Sequence, residues 1–112
     1  MTMSQEKLMI VVTVSADGVD AVLDAIAGAG GGEIGAYTHC AFTNKGTGRF
    51  RASDDANPHV GIVNSINAEP EVRIETFCPR VAGKAVVAAI REAHPYEEPV
   101  IYVVPLLNPD AL

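Results

Sequence analysis

The chain has 112 residues, 48% of them hydrophobic, with eight basic against fourteen acidic side chains and a formal net charge of −6. That length fits one domain, large enough to bury roughly two-thirds of the unfolded chain's surface without a disulfide or metal staple. The acidic balance, with no run of lysine or arginine, argues against nucleic acid, whose phosphates such a surface would repel. No apolar run approaches the roughly 18 residues of a membrane span, and the polar start, Met1 to Lys7, lacks the layout of a signal peptide. The expectation is a cytoplasmic protein with no membrane partner.

Lys7 to Ser15 is β-branched and apolar on both faces, the pattern of a central strand. Asp17 or Ser15 can cap the next element, a helix in which Val19, Val22, Leu23 and Ile26 repeat at the helical period. Gly28 to Gly32 then reads as a helix stop. A phosphate loop would precede a helix and use its N-terminal amides, whereas these glycines come after one.

Gly35 to Thr43 reads as a strand with Tyr37 and His39 on one face and Thr38, Cys40 and Phe42 on the other. Asn44 to Gly48 reads as a turn, from which Arg49 to Ala52 returns as the second arm of a hairpin. Ser53 to Pro58 is polar and turn-forming, and His59 to Ala68 carries no clear pattern. Glu71 to Cys78 alternates as a strand, with Val72, Ile74, Thr76 and Cys78 sharing a face. Pro79 opens a second helix whose stripe is Gly83, Val86, Val87, Ile90 and Ala93. Pro99 to Leu106 is the last strand, and residues 107–112 form a frayed tail.

Between that helix and strand lies His94-Pro95-Tyr96-Glu97-Glu98-Pro99, an imidazole, a phenol and two carboxylates in six residues. Each proline fixes its own φ and pushes the residue before it toward extended geometry, so the polar groups sit on a stiffened turn suited to binding. The bland alternative is a helix end, with His94 beside the negative dipole and solvated glutamates.

One helix after the first strand and one before the last is the split βαβ, ferredoxin-like plan. It makes the chain a single α+β domain over residues 1–112: an antiparallel sheet with two helices on one face and an extended β-hairpin. The uncovered face of so apolar a sheet calls for a partner, and self-association is the commonest answer.

Gly35 to Phe42, Gly46-Thr47-Gly48-Arg49-Phe50, Asn57-Pro58-His59-Val60-Gly61, Glu71 to Glu75 and Ala93 to Pro99 together resemble, in order, the YqfO-type domain. That domain is inserted in bacterial members of the Ngg-one-interacting-factor-three-like (NIF-three-like) family and is similar in fold to the copper-tolerance protein CutA and the PII signalling proteins. The resemblance implies a PII/CutA-like subunit that assembles as a homotrimer. It also implies an insert standing alone: the family's two-metal centre belongs to the main domain, so the GTP cyclohydrolase type-two-like label is not implied for this chain.

The resulting expectation is a non-catalytic binding or regulatory module that holds a small-molecule ligand or partner at subunit interfaces. Its candidate ligand-binding or interface residues are Tyr37, Gly46, Gly48, Tyr96, Glu97 and Glu98. The alternative is divalent metal binding, copper or zinc, through His39, Cys40 and His94, since thiolate and imidazole suit those ions. Against it, His39 and Cys40 as strand neighbours point to opposite faces. Cys40 and Cys78 read as packed thiols rather than a disulfide. No nucleophile stands in a context that activates it, and Glu97 and Glu98, being adjacent, diverge on an extended turn.

Overall fold

Alternation in the first strand sets the layers. In the computed structural model, which describes residues 6–112, β1 runs Lys7–Val14. Its even residues Leu8, Ile10, Val12 and Val14 are buried in one cluster with Val22, Ile26, Val86 and Ile90 from the two helices. Each such side chain, fully buried, contributes about 1.5–3 kcal/mol of hydrophobic stabilisation. The polar start read over Met1 to Lys7 lies, for residues 1–5, outside the described residues.

α1 (Val19–Gly28) and α2 (Gly83–Ala93) are each entered through a 3-10 turn, Ala16–Gly18 and Arg80–Ala82. Both helical stripes fall where the periodicity puts them, with Val22 and Ile26 buried on α1 and Val86 and Ile90 on α2. Neither Ser15 nor Asp17 caps α1; the Ser15 hydroxyl donates to Asp17 Oδ1 at 2.5 Å instead. No helix among the described residues is long and apolar enough to cross a membrane.

The remaining strands are β2 (Phe42–Arg51), β3 (Ile66–Pro79) and β4 (Ile101–Leu106), in the order β2-β3-β1-β4 with every neighbour antiparallel. This is the ferredoxin-like sheet. β3 is the longest strand: Val72–Pro79 pairs with β1, while Ile66–Glu75 pairs with β2. Residues 46–51 and 66–71 therefore run on beyond β1 as a two-stranded ribbon, and the molecule measures 55 × 24 × 22 Å.

Two elements differ from the sequence expectation. Residues 35–41 are not a strand; His39 sits in left-handed backbone at φ 59°, which breaks the extended run, and β2 begins only at Phe42. Asn44 to Gly48 is not a turn but the middle of β2, in register with Arg73 to Glu69. The hairpin reverses farther on, through residues 52–65. Asn67, buried at the ribbon's end, holds this connector: its Oδ1 accepts from Ile62 N at 3.0 Å, and its Nδ2 donates to the carbonyls of Ile62 at 2.8 Å and Ser65 at 3.1 Å.

The expected tail contains one 3-10 turn, Pro109–Ala111, capped by Asn108 Oδ1 accepting from Asp110 N at 2.9 Å. The register places Met9, Val11, Phe77, Tyr102, Val104 and Leu106 on the sheet face opposite the helices, with Phe42 at its far edge. Tyr102 is 62% exposed and Phe42 66%.

Candidate functional site: the cleft beside the 94–99 turn

Pro95 ends α2 by forcing His94 into extended geometry, φ −76° and ψ 133°. The His94 ring then folds inward and is buried. Its Nε2 lies 2.8 Å from the Thr13 carbonyl and its Nδ1 accepts from Tyr96 N at 3.1 Å. These partners fix the tautomer, with the proton on Nε2. Gly18 makes room for the turn: a Cβ there would come within 2.7 Å of Val14 Cγ2 and 3.4 Å of Pro95. The turn is thus tied to β1 and to the start of α1.

So anchored, the turn aims Tyr96 edge-on past the His94 ring, 4.6 Å between centroids, toward the ribbon. The Tyr96 hydroxyl oxygen is buried and makes no well-formed hydrogen bond among the described residues. Burial first, and then the Glu71 carboxylate within hydrogen-bonding reach of the hydroxyl, push its pKa up to about 12; Ser15, also within reach, acts in the opposite sense. The 52–65 connector closes the other side. Glu97 Oε1 accepts from Asn57 N at 3.1 Å, and the His59 ring stands 6.0 Å from that of Tyr96.

Between turn, connector and ribbon lies a cleft of about 300 Å³. Thr13, Gly48, Phe50 and Glu71 line it from the sheet, Pro58, His59 and Val60 from the connector, and Tyr96, Glu97 and Glu98 from the turn. Gly48 explains the position of Glu71. A Cβ on Gly48 would collide with the Glu71 carboxylate, so the missing side chain on β2 is the space that the β3 glutamate occupies. Among the described residues, none of Glu71, Glu97 and Glu98 is ion-paired. Arg49 and Arg51 also border the cleft, but strand alternation directs their side chains to the opposite face from Gly48 and Phe50, and Arg51 Nη2 reaches the Asn64 carbonyl at 3.4 Å.

Of the six expected ligand or interface residues, Gly48, Tyr96, Glu97 and Glu98 meet at this cleft. Gly46, opposite Glu71 in the register, does not line it. Tyr37 lies elsewhere, exposed in a tight turn where it exchanges backbone hydrogen bonds with Ile34. The expected metal trio is not gathered. His94 uses both ring nitrogens within the fold; His39 Nε2 lies 3.1 Å from Asp24 Oδ1 and its Nδ1 2.9 Å from Thr38 Oγ1; Cys40 Sγ is 3.9 Å from the Thr38 carbonyl. Among the described residues no group of three His, Cys, Asp or Glu side chains is placed to hold a metal ion. Both cysteines are free, and burial pushes the Cys78 thiol up.

Residue reasoning did not single out Glu71, Phe50 or His59 as site residues. Their only signal was that the motifs carrying the family resemblance include them, because nothing in a strand's alternation says which of its polar residues faces a cleft.

No family model matches the chain. Among curated proteins it is 41% identical over 99 residues to the GTP cyclohydrolase 1 type 2 homolog of Mycobacterium tuberculosis, covering 88% of this chain and 26% of that one. It is 46% identical over 74 residues to the Bacillus subtilis protein of the same name, covering 66% and 20%. The chain spans about a quarter of the length of the curated relatives it matches. Among solved structures, a Bacillus cereus protein related to NIF3 superposes with a TM-score of 0.82 at 36% identity, covering 96% of this chain and 27% of that one. CutA1 from Shewanella sp. SIB1 superposes at 0.67 with 19% identity, covering 95% and 86%. The Bacillus subtilis GlnK–ATP complex superposes at 0.63 with 10% identity, covering 94% and 85%.

Proposed function

Starting from a chain that is homologous to one segment of the NIF-three-like proteins and folds as a PII/CutA-like unit, we propose a non-catalytic binding or regulatory module whose ligand occupies the cleft beside the 94–99 turn. The observation that carries this reading is the cleft itself, about 300 Å³, walled by Phe50, Pro58, Val60 and Tyr96 and bordered by Glu71, Glu97 and Glu98.

Self-association, as a homotrimer, is the second part of the proposal. Its support is the helix-free sheet face, where Tyr102, Val104 and Leu106 stand exposed on the edge strand beside Met9 and Phe77. Lys7 and Leu106 are cross-strand partners, so the two ends of the unit lie side by side. That geometry lets the same fold sit within a longer chain without disturbing the sheet. The activity named for the relatives is not proposed for this chain, because it corresponds to so small a share of them. Divalent metal binding, suggested by the tolerance role in the name of CutA from Archaeoglobus fulgidus, finds no gathered donor set among the described residues of this subunit.

The test is thermal unfolding of the wild-type protein and of Tyr96→Phe against fractionated metabolites. A ligand that binds the folded state raises the midpoint. The proposal expects at least one fraction to stabilise the wild type more than the variant. Equal response in both proteins, or none in either, would refute it.

A further inference from the structure

The two helices do not cover the whole sheet. On β1 and β3 the residues packed against them, among them Ile10, Val12, Ile74 and Cys78, are fully buried. β4 is the edge strand, and its Val103, the cross-strand partner of Ile10 and so on the helix side, is 45% exposed. An open groove of about 780 Å³ runs between β4 and α2. Leu8, Val103 and Pro105 form its floor, and Lys84, Val87, Ala88 and Arg91, a stripe along one face of α2, form its wall. It shares no lining residue with the cleft beside the 94–99 turn.

The charge of this groove runs against that of the molecule. The chain is acidic, yet three of its eight basic side chains, Arg80, Lys84 and Arg91, line the groove and no acidic one does. Arg80 forms an exposed pair with Glu6 at 3.4 Å, whereas Lys84 and Arg91 enter no ion pair among the described residues. Arg80 and Lys84 also crowd the end of α2 that the helix dipole makes positive, where the first turn carries no acidic residue. Carboxylates seated here relieve that crowding and accept charge-assisted hydrogen bonds. The net charge of −6 selects the form of their carrier. A membrane or a nucleic acid spreads its charge widely and meets the acidic remainder of the surface, whereas a short segment meets the groove alone, since salt screens exposed charges beyond roughly 10 Å.

The edge strand selects a helix over a strand as that segment. Pro105 offers no N–H, so β4 is a broken template for strand addition. A helix laid beside α2 fills the groove with its apolar stripe, over Val87 and Val103, and brings its flanks to the cations. We propose that the groove between α2 and β4 docks a short amphipathic helix, apolar on one stripe and acidic on its flanks, presented by a partner protein.

The probe is a displayed library of random peptides about 16 residues long, enough for roughly four helical turns, selected on the whole chain. Two variants serve as counter-targets, each checked for unchanged circular dichroism and oligomeric state. Lys84→Glu with Arg91→Glu reverses the charge; Ala88→Arg adds positive charge but fills the groove. The proposal expects selected peptides to carry acidic residues around an apolar helical stripe and to bind, by fluorescence anisotropy, with Kd of about 100 μM or tighter. Both variants should weaken them by about tenfold or more, and raising the salt should weaken them on the wild type.

Tighter binding to Ala88→Arg would reduce the effect to diffuse charge attraction and overturn the docking site. Basic or neutral winners, winners indifferent to both variants, or no enrichment at all would overturn it as well. Loss of assembly in the charge-reversed variant would assign the groove to a neighbouring copy of this chain, and groove-dependent sedimentation with phosphatidylglycerol vesicles would assign it to a membrane; either result contradicts the proposal.

Discussion

The Glu71 carboxylate lies in the volume that a side chain on Gly48 would fill, across the β2-β3 ribbon. This pair shapes the cleft wall and places a negative charge next to Tyr96. Gly48→Ala therefore separates the site from the fold. Removing a strand glycine lowers unfolded-chain entropy, worth about 0.4–1 kcal/mol of stability, and the displaced group is the far end of a flexible side chain. The expected result is a melting temperature within a few degrees of wild type, with a phenol titration of Tyr96 moved down from about 12. Absorbance titration of the variant against wild type measures it.

Tyr96 also predicts a pH dependence. Its folded pKa of about 12 is above the ordinary 10, so the folded state holds the proton where the unfolded chain has lost it. The contribution is fully present below pH 10 and is lost as pH rises from 10 toward 12, by no more than roughly 1.4 kcal/mol per pH unit. Tyr96→Phe should remove that slope, so that the variant gains on wild type as pH rises from 10 toward 12. Urea unfolding of both proteins at pH 8, 10 and 11 gives the difference.

His94 is an anchor in this account. Replacing it with alanine strips the partners from the Thr13 carbonyl and the Tyr96 amide and leaves a cavity, for a cost of about 2–4 kcal/mol and a midpoint drop on the order of 10 °C. Zinc affinity, read by a competing chelator dye, should be unchanged between wild type and a folded His94→Gln variant. A metal role for His94 would show as loss of that affinity.

The fold was legible wherever pattern and propensity agreed. β1, both helical stripes and the alternation of β3 come from β-branching and from apolar periods of two and 3.6, and the resemblance carried the same plan. Asn44 to Gly48 misled because glycine and asparagine favour turns locally, whereas Gly48 is glycine for a tertiary reason, the carboxylate of Glu71. The break at His39 was hidden because its left-handed backbone comes with side-chain bonds to Asp24 and Thr38 rather than with a glycine or proline. The stiffness of the 94–99 turn could be read from its prolines. That His94 would face inward and Tyr96 face the cleft could not, because both directions depend on Thr13 of β1, some eighty residues earlier in the chain.

Native mass spectrometry of the freshly purified protein, with Tyr96→Phe beside it, tests the account most directly, since one spectrum reports both stoichiometry and retained ligand. The prediction is a homotrimer of the 11.7 kDa chain carrying added small-molecule mass on the wild type that is reduced on the variant. A monomer at every concentration, or a retained ligand indifferent to Tyr96→Phe, would contradict it.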